Sequence, residues 1–418
     1  VPGLMLLLAG CGGGGSGGNV NLGDDAPTSA QLILADPASP YAETMIDCIL
    51  VMDSSDSCLL QDLPLLAQDT DAPTVDDILA RTVVSHDWMA TRFRQYLETA
   101  PPEMLPLFKA LTAVVIAADI RPSQYSPYSG AIYLDAAYLW TTNAEKATIS
   151  RDPDYRSDFG DDLNFVPLYR YIKDGDFAWE FYSLSGTETR SIADLEKSLS
   201  ALLLHELAHA NDFFPPGSIV NLDSGRTAWS TTQSIFAERA STVLRNTQPL
   251  NSETWFGLAE VLFIGTASTA SQRLLSALDV GIEFVNDGAN DSYSYTSQYE
   301  DVAMLFEEVM MGYLYGTGRD VLFTDQPLPG EEAFCDGYII RSGYRDRLGD
   351  AVVQSRAELV LQILLGESDV SRYLDGFGPQ QELSPGGTIC NVEDIGIAQP
   401  AGVQERKLLR PDTRRLYR

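Results

Sequence analysis

The sequence predicts an α+β protein, predominantly helical, with a small sheet beside one long buried helix. Three observations predict it. Helical apolar periodicity recurs in separate blocks along the 418 residues, with no repeat of fixed period and no apolar run of 18 or more. The stretch 191–213 carries apolar residues nearly all round in its second half, the mark of a helix inside a protein. Two short segments, 128–135 and 164–172, have the β-branched and aromatic composition of strands.

The elements follow in chain order. Residues 74–100 read as a helix opened by Val75-Asp76-Asp77 and stopped by Pro101-Pro102, and 102–117 as a second. Together they predict an N-terminal helical lobe over 31–120. Tyr128-Ser129-Gly130-Ala131-Ile132-Tyr133-Leu134-Asp135 enters a strand through its glycine, and 164–172 alternates aromatic and apolar residues with others. Ser191-Ile192-Ala193-Asp194 starts the long helix, Leu195, Leu199, Leu202 and Leu203 mark its apolar face, and Pro215-Pro216-Gly217 ends it. Further helices are expected at 233–244, 268–285, 297–313 and 349–365. The core of the protein is placed at 121–325, and a helical and loop region at 326–418.

That long helix carries His205-Glu206-Leu207-Ala208-His209, in a chain with three histidines. Spacing of four on a helix puts both imidazoles on one face, where both can ligate one Zn²⁺. Buried imidazoles need a partner, and a metal supplies it. Glu206 projects beside them, in reach of a metal-bound water and so able to act as general base. A catalytic zinc takes three protein ligands and keeps one position open. His86 reads as an ordinary helical histidine. The HExxHxxGxxH pattern is not met, because Asp212 and Pro215 stand at its Gly and last His positions. A carboxylate is left, and two are candidates: Glu238, 33 residues after His205, and Glu300.

Tyr293-x-x-Thr296-x-x-x-Glu300-Asp301-x-Ala303 resembles the Y-x-x-T-x-x-x-E-D-x-A element of lethal-factor-like zinc metallopeptidases and related bacterial peptidases. With the HELAH helix the resemblance covers about 40 residues. It implies a zincin-like catalytic core, Glu300 as third ligand and Tyr293 as the donor that stabilises the oxyanion. It also implies zinc-dependent hydrolysis of peptide bonds, with a peptide or protein as substrate. The strand 131–134 could pair with an extended substrate as an added strand. Three features run against or beside the pattern. Ser297-x-x-Glu300 is also a capping box, which would turn the carboxylate back to the helix. Tyr295 and Tyr299 lie close to Tyr293 and rival it. Met304 stands where that family often has a second carboxylate, so Asp212 or Asp301 would support the metal histidines.

At the other end, Leu8-Ala9-Gly10-Cys11 follows a short apolar run and precedes the glycine-rich stretch 12–18. It resembles the bacterial lipobox. The resemblance implies a signal ending at residue 10 (begun before the first residue here), lipid on Cys11, a tether over 11–30 and anchorage in the cell envelope, at the outer membrane since Gly12 is not Asp. Removing Cys11 leaves Cys48, Cys58, Cys335 and Cys390, an even number in an oxidising compartment. Three pairings are possible, and proximity favours Cys48–Cys58 and Cys335–Cys390. A net charge of −31 argues against nucleic acid or anionic lipid headgroups as partners. A basic strip of Arg406, Lys407, Arg410, Arg414, Arg415 and Arg418 interrupts that acidity. Two other classes fit the same residues: a surface binding lipoprotein that keeps a zincin fold without turnover, and a zinc hydrolase of a non-peptide amide such as one in the cell wall. An intact Glu206 disfavours the first, since binding alone needs no general base.

Overall fold

The computed structural model describes residues 31–392, apart from Met52 and Ala333. Cys11, the tether and the basic strip lie outside the described residues. The chain is mixed α/β with small sheets and more helix than strand. It divides into two compact units, each assembled from separated segments. The first takes the chain through Asp152, Tyr182–Val243 and Leu361–Ser368; the second takes Pro153–Phe181, Leu244–Val360 and the chain from Asp369.

The first unit is built on a five-stranded sheet of β1 (Ile33–Leu34), β2 (Thr82–Val84), β3 (Val114–Ala117), β4 (Gln124–Ser126) and β5 (Ala131–Asp135). Its order is β1-β2-β3-β5-β4, with β2, β3 and β5 parallel and both edge strands antiparallel. Its helices are α1 (Met45–Ile49), α2 (Val75–Leu79), α3 (Asp87–Thr99), α4 (Asn143–Lys146), α5 (Ile192–Phe213), α6 (Pro216–Ile219) and α7 (Ala228–Ser234). The start of α8 (Ala240–Thr247) also belongs to it.

The expected helical lobe is corrected here: 31–120 supplies three of the five strands. The expected helix 74–100 breaks at Thr82-Val83-Val84, a β-branched run buried on both faces between β1 and β3. Such a run gains more from a central strand position than from helix, where branched side chains crowd the preceding turn. The expected helix 102–117 is a 3-10 segment, Pro102–Ala110, with Pro106 inside it. A proline there forbids the regular backbone ladder of an α-helix. The apolar run Val114–Ala117 that follows is the fully buried β3. One apolar cluster, with Met45, Cys48, Ile49, Val83, Val115 and Tyr133, covers a face of this sheet.

The second unit has its own sheet, β6 (Phe165–Lys173), β7 (Asp176–Phe177), β8 (Gly318–Asp325), β9 (Ile340–Arg345) and β10 (Gln381–Glu382), in the antiparallel order β10-β9-β8-β6-β7. The expected strand 164–172 is thus real, but it pairs with β8 from Phe165↔Asp325 to Ile172↔Gly318 and not with the sheet that holds β5. The helices are α9 (Glu253–Phe263), α10 (Ala277–Val285), α11 (Gln298–Tyr315), α12 (Ala351–Leu365, begun in this unit) and α13 (Ser371–Leu374). Of the expected helix 268–285 only α10 forms, because Ser276 and Asp279 make a reciprocal capping box that fixes its start. Gly316, left-handed at φ 63°, ends α11. Trp255, Phe284, Tyr295, Met304 and Phe323 pack one face of the sheet; Val166, Leu168, Leu322 and Tyr338 pack the other. Cys48 pairs with Cys58 and Cys335 with Cys390, at Cα separations of 5.5 and 5.2 Å. No helix among the described residues is long and apolar enough to cross a membrane.

Candidate metal centre

In α5, Ser191 accepts from the Asp194 amide while the Asp194 carboxylate accepts from the Ser191 amide, which closes the helix start. Every residue from Leu199 to Phe213 is buried. Three contacts fix this stretch within the first unit. The Tyr96 and Ser200 hydroxyls share a 2.7 Å hydrogen bond, and Asn211 donates to the Leu107 carbonyl at 2.9 Å. The ring of Phe213 meets that of Tyr125 at 5.3 Å. Asn211 lies two residues past the motif, and its amide also reaches back to Leu207 O. The sequence reading missed this anchor, because its partner carbonyl is 104 residues away.

His205 is 2% exposed and His209 not at all, and their Nε2 atoms face each other at 3.2 Å. That spacing tests whether the pair suits a metal. Two nitrogens at tetrahedral angles about one zinc, each about 2.0–2.1 Å from it, stand about 3.3–3.4 Å apart. The pair fits. Glu206, buried beside them, is offset about 100° around the helix from His205 and about 60° from His209.

Glu300 stands in the first turn of α11, 2% exposed. Ser297 accepts from its amide at 3.2 Å, so half of the expected capping box exists. The reciprocal bond, in which the N-cap amide donates to the carboxylate as at α5 and α10, is not made here. Among the described residues one group of three His, Cys, Asp or Glu could hold a metal ion: His205, His209 and Glu300, all buried, with ligand atoms within 4.8 Å of one another. Two imidazoles and one carboxylate are a donor set suited to a borderline-soft divalent cation with a position to spare.

Glu238 and His86 lie outside that group of three. Glu238 sits on a 3-10 turn, Phe236–Glu238, where the expected helix 233–244 is interrupted between α7 and α8. It is exposed and accepts from the Ser218 hydroxyl at 2.5 Å, outside the group of three. His86 is the residue before α3, its Nδ1 2.9 Å from the Ser85 hydroxyl. Tyr293 is buried in the core of the second unit, edge-on to Phe263 at 4.9 Å. Its rival Tyr295 stacks on Trp255 and donates to Asp287, which with burial raises its phenol far above the usual range.

Of the two carboxylates expected to support the histidines, Asp301 pairs with the buried Arg356. Asp212 lies one turn after His209 on α5 and is fully buried. One of its oxygens accepts from the Ser241 amide at 2.8 Å. Burial raises its carboxyl pKa, against the opposing pull of the Ser241 hydroxyl, of that amide and of the nearby Arg239 and His209. Arg239, itself fully buried, stacks over Phe213 at 4.2 Å. β5 lies between β3 and β4, so the strand 131–134 has no edge to offer a substrate, and that expectation is corrected. The edge strand on that side is β4, which packs against α5. No family model, no curated protein and no solved structure matches this chain.

Proposed function

We propose that this chain is a zinc-dependent metallopeptidase with a zincin-like core, anchored in a bacterial cell envelope through lipid on Cys11. The observation that carries the reading is the buried group formed by Glu300 of α11 with His205 and His209 of α5, the helix that also presents Glu206. Burying a carboxylate beside two imidazoles is costly without a compensating cation, so the donor set itself argues for a metal. Held by His205, His209 and Glu300, zinc would supply Lewis acidity toward an amide carbonyl and toward water. Glu206 would take a proton from the attacking water on a carboxylate oxygen as the water oxygen bonds to the carbonyl carbon, and deliver it to the amine nitrogen as the C–N bond breaks. Tyr293, by the resemblance of its segment, donates its hydroxyl proton in a hydrogen bond to the developing oxyanion. An extended peptide adds to β4 as a further strand.

The test is peptide hydrolysis by the zinc-loaded protein. Glu206→Gln keeps zinc and loses about 10²–10⁴-fold in kcat, about 3–5 kcal/mol of barrier. Tyr293→Phe also keeps zinc and lowers kcat with little change in KM. Turnover by Glu206→Gln at the parent rate would remove Glu206 as the general base, and no hydrolysis by the zinc-loaded parent would overturn the reaction itself.

A further inference from the structure

α8 begins at Ala240, and the Ser241 amide in its first turn has no carbonyl one turn earlier within the helix to bond. Asp212 Oδ1 accepts that amide proton across 29 residues of chain. The second oxygen, Oδ2, is buried with no hydrogen-bond partner, an expensive state for a carboxylate. Asp212 and His209 are three apart on α5, the spacing at which helix side chains are neighbours. The basic side chains facing Asp212 are His209 from its own helix and Arg239 from the residue before α8. A carboxylate so placed gains whenever positive charge is added at His209.

We propose that Asp212 is a positioning residue coupling the metal centre to α8: one oxygen holds the first turn of α8, and the other answers the charge brought to His209 by a bound divalent cation. Loading the centre therefore tightens the joint between α5 and α8. The coupling is reciprocal, so whatever the joint contributes to cation affinity, the cation returns as protection of the joint. This inference rests on the reading of His205, His209 and Glu300 as a zinc site.

The test uses the full chain and zinc alone, with amide hydrogen exchange and zinc affinity as readouts. In the parent, zinc slows exchange of the Ser241 amide at least about tenfold, a comparison that needs no variant. Asp212→Asn keeps an oxygen for the Ser241 amide and removes only the charge. It weakens zinc binding about 10–100-fold, the usual cost of losing an outer partner of a metal histidine, and zinc no longer protects Ser241. Asp212→Glu restores part of both. Zinc binding by the parent with no change at Ser241, or parent-like affinity in Asp212→Asn, overturns this proposal alone. A parent that binds no zinc overturns the metal site as well.

Discussion

Glu308 is two turns along α11 from Glu300, and replacing it with Gln has a calculable effect on stability. Its Oε2 accepts from Asn290 Nδ2 at 2.8 Å and lies 3.6 Å from the Arg319 guanidinium. That guanidinium is already paired with Asp291, and Asp346 adds further negative charge. Beside it on the helix, Glu307 accepts from Tyr171 at 2.8 Å. Burial dominates and pushes the Glu308 carboxyl from 4.5 up to about 7. A raised pKa means that the folded protein keeps a proton which the unfolded chain gives up. The contribution is therefore fully present below about pH 4.5 and is lost as the pH rises through about 7. The whole window is worth on the order of 3 kcal/mol. Glu308→Gln keeps the acceptor for Asn290 and cannot ionise. Urea unfolding of metal-free parent and variant from pH 4.5 to 8.5 should show equal stability at the acid end and a variant advantage approaching that figure at the alkaline end. Subtracting the two curves isolates Glu308 from every other carboxylate. A parallel pair of curves, or a variant weaker above pH 7 than below, would refute the assignment of a neutral Glu308.

The remaining predictions concern the covalent links. Cys335→Ser with Cys390→Ser opens a loop of 55 residues and should cost about 4 kcal/mol by loop-closure entropy, read as a lower urea midpoint; an unchanged midpoint would mean that the pair adds nothing to folding. For the proposed anchor, Cys11→Ala expressed behind a complete signal peptide should move from the membrane to the soluble fraction, and continued membrane association would remove the lipoprotein reading.

Legibility in the sequence tracked how local each feature is. The HELAH pair was readable because a spacing of four on one helix fixes two side chains without any knowledge of the rest. The helix itself was readable because Ser191 and Asp194 cap it and two prolines stop it. Both disulfides followed from proximity along the chain. Glu300 depended on a motif resemblance, since 91 residues separate it from His209 and no local rule brings them together. The three-residue strand β2 was hidden inside a helical pattern, since Thr82-Val83-Val84 is settled by pairing with residues more than 30 positions away. β8 and β9 were missed for the same reason. Their Arg319, Asp320 and Arg345 are polar by sequence and buried by pairing, with Asp320 taking both Arg170 and Arg345. The choice between Asp212 and Asp301 likewise needed Arg356, which is 55 residues from the carboxylate it occupies.

The central claim is the metal itself, and its most direct measurement is zinc content per chain after loading and desalting. The parent should carry one zinc, as should Glu206→Gln and Glu238→Ala. His205→Ala, His209→Ala and Glu300→Ala should each fall well below one, because each removes a ligand. Zinc retained by Glu300→Ala but lost from Glu238→Ala would move the third ligand, and a parent without zinc would contradict the account.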